Sequence, residues 1–360
     1  MKSSPRPRRT AGFGLVEFMI AIALGVIVIG GVIEIFIAER QVYQNASSQT
    51  LIQDSDNAIA AVITPIVRGA GFTGCGSMNN GVVSNIGGTP PTSLTFSISS
   101  DVQGFTGTLP TQITDNSPND ATAGDWAPAL DASLTSPAIV EPGSDVLTLI
   151  GATPGSSPVG ITNFAAGAIT VDDASKLSTG NQLVAVSDCG KGSVFMATGI
   201  TAATRVVTFT TGPNGTPLYG LGTQLTPVQQ TVFFVGHGHG GQSALFRGVM
   251  NPGAGAAGVS GASWTNIEAV PGVIAMKVLY GVATGGNEQA TEYFDAGHVV
   301  NWSSVTTIKL AFLLEGNLGS SPVPTGAQTY SLLGSAVKIP ADSRLRHIFN
   351  MTVNTRNNTL

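Results

Sequence analysis

Twenty-one consecutive residues, Phe13 to Ile33 (FGLVEFMIAIALGVIVIGGVI), carry one charge, Glu17. At about 1.5 Å of rise per residue, such a run makes a helix about 31 Å long, enough to cross the hydrocarbon core of a bilayer. Lys2, Arg6, Arg8 and Arg9 precede it with no acid among them. That asymmetry predicts a cytoplasmic N-terminus and an extracytoplasmic remainder. A secretory signal peptide would have a shorter apolar core closed by a small-residue cleavage site, and no such site closes this run.

The helical pattern continues beyond the apolar run. Leu51, Ile52, Ile59, Val62, Ile63, Ile66 and Val67 keep an approximate one-face spacing through a polar stretch. Gly69 and Gly71 are expected stops, and Pro65 is expected to bend or thin the last turn. The pattern predicts one helix over residues 13–70, with 13–33 in the membrane and the rest amphipathic. A carboxylate in such a span costs a few kcal/mol and calls for a functional reason. The plain alternative is an ordinary anchor that tolerates one acid near its cytoplasmic end.

Past Gly71 the composition shifts to Gly, Ser, Thr, Pro and Val. Residues 76–145 are rich in breakers, as in IGGTPPTS, and are expected to hold short strands at most. Later segments alternate with period two. Ile274, Met276, Val278 and Tyr280 form one face, Ile308, Leu310, Phe312 and Leu314 another, and Phe349, Met351 and Val353 a third. DVLTLIG, QLVAVSD, RVVTFTT and TVFFVG are shorter strand candidates. Strands without intervening helices imply an antiparallel sheet or sandwich, so residues 71–360 are expected to form a β-rich extracytoplasmic head packed on the amphipathic half of the helix. The fold class is therefore α+β. Residues 316–340, rich in Pro and Gly, read as a surface loop.

The leader AGFGLVE resembles the prepilin processing signature of type IV pilins and pseudopilins. Gly12 stands at the residue before the cut, Phe13 becomes the new N-terminus, and Glu17 is the fifth mature residue. Glycine suits a protease that must approach the backbone closely. Gly14 stands where the family more often has Thr or Ser, and Glu34 replaces the family's helix proline. Later segments narrow the resemblance to PilW-type minor pilins: VRGAGFTGC, LVAVSDCGKGSVFMAT, FFVGHGHGGQSALFRG, AVPGVIAMKVLYG, NWSSVTTIKLAFLL and RLRHIFNMTVNTRN.

The resemblance implies a basic leader, residues 1–12, removed by a prepilin peptidase, and N-methylation of Phe13. It gives Glu17 an assembly role: the new α-amine of Phe13 is a cation in an apolar layer, and the carboxylate of a neighbouring helix is its natural partner. It implies an inner-membrane protein with a periplasmic head, later built into a cell-surface pilus through an assembly platform. Expected partners are the membrane, the major pilin, other minor pilins and a PilY-type tip adhesin; twitching motility, adhesion or DNA uptake would be served. It also implies a Cys75–Cys189 disulfide, against the alternative of two buried thiols. A bridge closing over 100 residues contributes up to about 4.7 kcal/mol in the chain-entropy model.

Two other function classes compete. A type II secretion pseudopilin would share the anchor and its assembly logic, and a membrane-anchored extracytoplasmic enzyme would need a convergent acid, base and nucleophile. No such grouping stands out, so no catalytic residue and no cofactor is expected. His237 and His239 in GHGHGG lack a completing ligand for a metal. The glycines there lack the GK[ST] of a phosphate loop, and Asp172 and Asp173 lack calcium-loop spacing. Trp126, Trp264 and Trp302 are expected in the core or in turns. Without the leader, 12 basic and 21 acidic residues leave a net charge of −9, which disfavours nucleic acid.

Overall fold

The computed structural model describes residues 14–74, 82–84, 101–108, 125–130, 134, 140–178, 180–188, 191–210, 212–213, 219, 222–251, 263–284 and 289–355. Helix α1 spans Leu15–Gly69, 55 residues and about 83 Å. Its N-terminal half stands clear of the rest of the chain: apolar side chains from Leu15 to Tyr43 are exposed. Its C-terminal half buries Ser48, Ile52, Ser55, Ile59, Ile63 and Val67, a spacing of three and four that puts them on one face. Pro65 lies in the last turn and does not end the helix.

The stop comes at Gly69. The Ala70 N–H bonds back to the Val67 carbonyl (3.2 Å), and the Gly71 N–H donates to the Ile150 carbonyl (2.8 Å). Gly71 has φ +74°, a left-handed conformation that suits glycine. Gly151 faces this end, and a Cβ there would collide with the Gly69 carbonyl oxygen.

Strands β1 (Val82–Ser84), β2 (Val102–Gly107), β3 (Trp126–Ala127) and β4 (Val146–Ala152) come first. A small lobe follows, with β5 (Val159–Ala165), β6 (Ala168–Val171), β7 (Gln182–Ser187), β8 (Gly192–Ala197), β9 (Gly199–Thr201) and β10 (Val206–Thr208). It has its own apolar core around Val184, Val186, Phe195, Val207 and Leu225. Strand β11 (Gln224–His237) joins the two regions. Its first residues pair with β5 and β7, and its later ones with β4 and β12 (Ser243–Asn251), which pairs with β13 (Ser263–Pro271).

A second sheet holds β14 (Val273–Val282), β15 (Glu292–Phe294), β16 (Val305–Leu318) and, after the hairpin β17 (Gln328–Leu332) and β18 (Ser335–Ile339), the last strand β19 (Arg344–Asn354). Its order is β15-β14-β16-β19. Every described ladder is antiparallel except β1 with β8. The α+β class expected from the sequence, a long helix on an antiparallel head, is what forms.

The main core lies where α1 meets both sheets. Ile59, Ile63 and Val67 pack with Leu147, Leu149 and Phe233 of one sheet and Met276, Leu310 and Phe312 of the other. Burying each such side chain fully contributes about 1.5–3 kcal/mol. The alternating faces read from the sequence join this core, with Phe349 and Met351 partly buried at its margin, except at Ile274. A register shift between Val273 and Ala275 breaks the alternation, and Ile274 packs instead with Ala275, Ala311 and Leu313 on the other face.

Residues 316–340 depart from the surface-loop expectation. The β17–β18 hairpin folds there, and Leu332, Val337 and Ile339 bury against Ala275, Ala311 and Leu313 on the outer face of β14 and β16. Its two-residue turn has positive φ at both Leu333 (48°) and Gly334 (90°), which matches the twist of the strands. With five residues per strand, its alternation is too short to stand out among the surrounding Gly and Pro.

Candidate functional site

Glu17 lies in the first turn of α1, which opens with the Phe18 N–H bonded to the Gly14 carbonyl (3.2 Å). It is exposed, as are Leu15, Val16, Phe18, Met19 and Ile20 around it. Among the described residues no cation pairs with it. Gly12 and Phe13, the expected processing residues, lie outside the described residues, as do Cys75 and Cys189. The helix is long and apolar enough to cross a membrane, and its most apolar window is wholly uncovered by the head. The arrangement is an exposed apolar rod with one carboxylate near its N-terminal end.

The head grips this rod at a polar seat that sequence reasoning missed. Ser48 is fully buried, and its Oγ accepts from the Asn317 N–H (3.1 Å). A Cβ on Gly316 would come within 2.7 Å of the Ser48 Cβ, so the close approach needs glycine there. Beside it, Arg346 makes a bidentate pair with Asp342 (2.6 and 2.7 Å) and reaches Glu315 (3.3 Å). About two turns further along the helix, the Asp56 carboxylate faces His347 of β19 (3.6 Å). Burial pushes the Asp56 carboxyl up, and His347 only partly opposes this. Small polar residues interrupting the apolar stripe, Ser48, Ser55 and Asp56, were the available signal.

The motifs set aside in the sequence are held locally. His237 Nε2 lies 3.9 Å from Glu141, which accepts from the Ser243 hydroxyl (2.5 Å). His239 instead contacts Glu268, through Nδ1 (2.7 Å) and its backbone N–H (2.9 Å). These bonds hold the Glu268 carboxyl below its usual value. The two histidines of GHGHGG thus turn to different carboxylates. Asp172 accepts from the Gly160 N–H (3.0 Å), and Asp173 caps a short 3-10 turn through Ser175 (3.0 Å). Trp126 is buried and donates to the Ser144 carbonyl (2.8 Å), and Trp302 packs edge-on against Tyr280.

Residues 7–33, the leader and the apolar half of α1, match the prokaryotic N-terminal methylation motif. Residues 232–357, from the middle of β11 through β19, match the type IV pilus-assembly protein W family, PilW. The chain is a PilW-type, type IV prepilin-like protein. No curated protein matches it. As a PilW-type protein it is a minor pilin of type IV pilus assembly, and the methylation motif implies prepilin processing. It is anchored in the inner membrane by the N-terminal helix, with the head outside the cytoplasm and the pilus on the surface. PilW is a family of assembly proteins rather than of enzymes, and its context implies contact with other pilins and with the pilus machinery. The PilW match begins inside β11 and includes the second sheet, the part of the head that meets α1 at its polar seat.

Proposed function

We propose that this minor pilin is cut after Gly12, is methylated on Phe13, and uses Glu17 to receive the Phe13 amine of a neighbouring helix. In lipid or in a filament core, an unpaired amine is costly, and a carboxylate on the next helix relieves it while fixing the axial stagger of the two rods. The observation that carries this reading is the exposure of Glu17 on an apolar helix that stands free of its own head. In this reading the subunit joins other minor pilins and the major pilin in a small priming or tip complex, beneath a large adhesin, with no catalytic role of its own.

A disulfide between Cys75 and Cys189 belongs to the same proposal. The described neighbours of the two cysteines support it, because both come to β11. A Cβ on Gly74 would lie 3.4 Å from Gln224, and Gln224 is the register partner of Ser187.

The experiment is Glu17→Leu in cells that make the full machinery. Insertion and cleavage should persist, since the anchor becomes more apolar and Gly12 is untouched. Recovery in sheared filaments should fall by orders of magnitude, because breaking such a pair costs about 3–5 kcal/mol. Glu17→Asp should be intermediate. Wild-type recovery of Glu17→Leu would end the register mechanism.

A further inference from the structure

A groove of about 510 Å³ runs along one flank of α1 near its C-terminal end. Val62, Pro65 and Ile66 of the helix form one wall, and Leu149 of β4 lines the other. Arg247 of β12 also lines it, and among the described residues no Asp or Glu does. The Arg247 guanidinium is half-buried and has no described ion pair. Its Nε is sealed from solvent without a hydrogen-bond acceptor. Burial alone lowers its pKa, with no carboxylate opposing. The other buried arginine described above, Arg346, has two carboxylates.

A half-desolvated guanidinium is among the more expensive groups to leave unpaired, and its planar fork suits a carboxylate. Leucine or methionine in its place would fill the same wall without that cost. The natural occupant is an acid carried on an apolar stretch, with the acid at Arg247 and its apolar flanks along Val62 and Ile66. A lipid headgroup does not reach the site. Ala61, at the groove's lower end, is 28 residues beyond Ile33, about 42 Å along the helix from the apolar span. A subunit built into an assembly meets neighbouring subunits at that height.

We infer that this groove docks an acid-bearing apolar segment of a neighbouring pilin subunit, with Arg247 as its carboxylate anchor. The inference rests on the minor-pilin reading and deepens it. The test places photoreactive benzoylphenylalanine at position 154, on the exposed rim, in cells producing the whole machinery. The expected product is a crosslink to another pilin subunit, mapped by mass spectrometry to a peptide containing Asp or Glu. Arg247→Met should cut its yield by about tenfold or more, and Arg247→Lys should keep part of it. The melting temperature of the full chain in detergent should stay level or rise in Arg247→Met, since an unpaired buried charge has gone. A crosslink that ignores Arg247→Met, one that maps to lipid or to a non-pilin protein, or a melting temperature that drops would overturn the inference. Glu17→Leu run in parallel separates the two ideas. If it blocks assembly while Arg247→Met assembles normally, only the groove proposal fails. If the wild type never enters filaments, the pilin reading fails and takes this one with it.

Discussion

Lys277 Nζ lies 2.8 Å from Asp145 Oδ1, with both side chains almost fully buried (5% and 3% exposed). The pair bridges the two sheets. Lys277 is on β14, and Asp145 immediately precedes β4. Lys277 also donates to the Gly107 carbonyl (2.9 Å), while Asp145 accepts from the Gly107 and Val278 N–H groups (2.9 and 2.8 Å). Desolvation raises the Asp145 carboxyl, and Lys277 works against it. One ion pair thus ties together the sheets that enclose α1.

Lys277→Met should therefore destabilise the protein by about 3–5 kcal/mol, the cost of stranding a buried charge. Chemical denaturation of the detergent-solubilised chain measures it. A loss below about 1 kcal/mol would show that the Gly107 and Val278 bonds alone hold Asp145.

Processing is tested at the cut. Mass spectrometry of the mature protein should find Phe13 at its N-terminus. In Gly12→Val the side chain crowds the scissile backbone, and the full-length chain should accumulate in the membrane. A mature start at any other residue would remove the basis for the Phe13–Glu17 pair.

The proposed disulfide has an electrophoretic signature. The oxidised protein should run faster than the reduced one, and Cys75→Ser should erase the difference. Both thiols reacting with alkylating agent in periplasm-derived protein, without reductant, would count against the bridge.

Acid should weaken the β11–β12 turn. Because His239 holds the folded Glu268 carboxyl below its ordinary value of 4.5, its contribution is present above that value. It is lost as pH falls through the lower folded value. Melting temperatures between pH 6 and pH 3 should decline, and Glu268→Gln should flatten the steepest part below pH 4.5. An unchanged acid limb in the variant would assign the decline to other carboxylates.

What was legible in the sequence follows the range of the interactions involved. The helix announced itself because 21 apolar residues and a three-four stripe are local patterns, and Glu17 stood out against them. Strands β14, β16 and β19 were visible because their alternation is long and both faces differ in chemistry. The hairpin at Gln328–Ile339 was not, since five-residue strands between glycines and prolines leave little periodic signal. Lys277 with Asp145, 132 residues apart, and Ser48 with Asn317, 269 apart, are tertiary matches that no spacing rule contains. Arg247 was invisible for a related reason. On a strand it reads as an ordinary surface cation, and only the folded groove shows that it has been walled in.

Helix α1 is both the anchor and a core element of the head, with no hinge between Leu15 and Gly69. A pull on its N-terminal end, as when a filament is drawn or retracted, therefore acts along the rod. Its buried face, from Ser48 to Val67, lies parallel to that load. Detaching it means shearing the whole apolar stripe past both sheets together, rather than peeling one contact at a time. The Ser48–Asn317 bond stands at the first buried residue of the helix, and the backbone tie from Gly71 to Ile150 stands at the far end of the same line. Resistance to tension is thus set by the area of one interface, and it should scale with the number of apolar turns engaged.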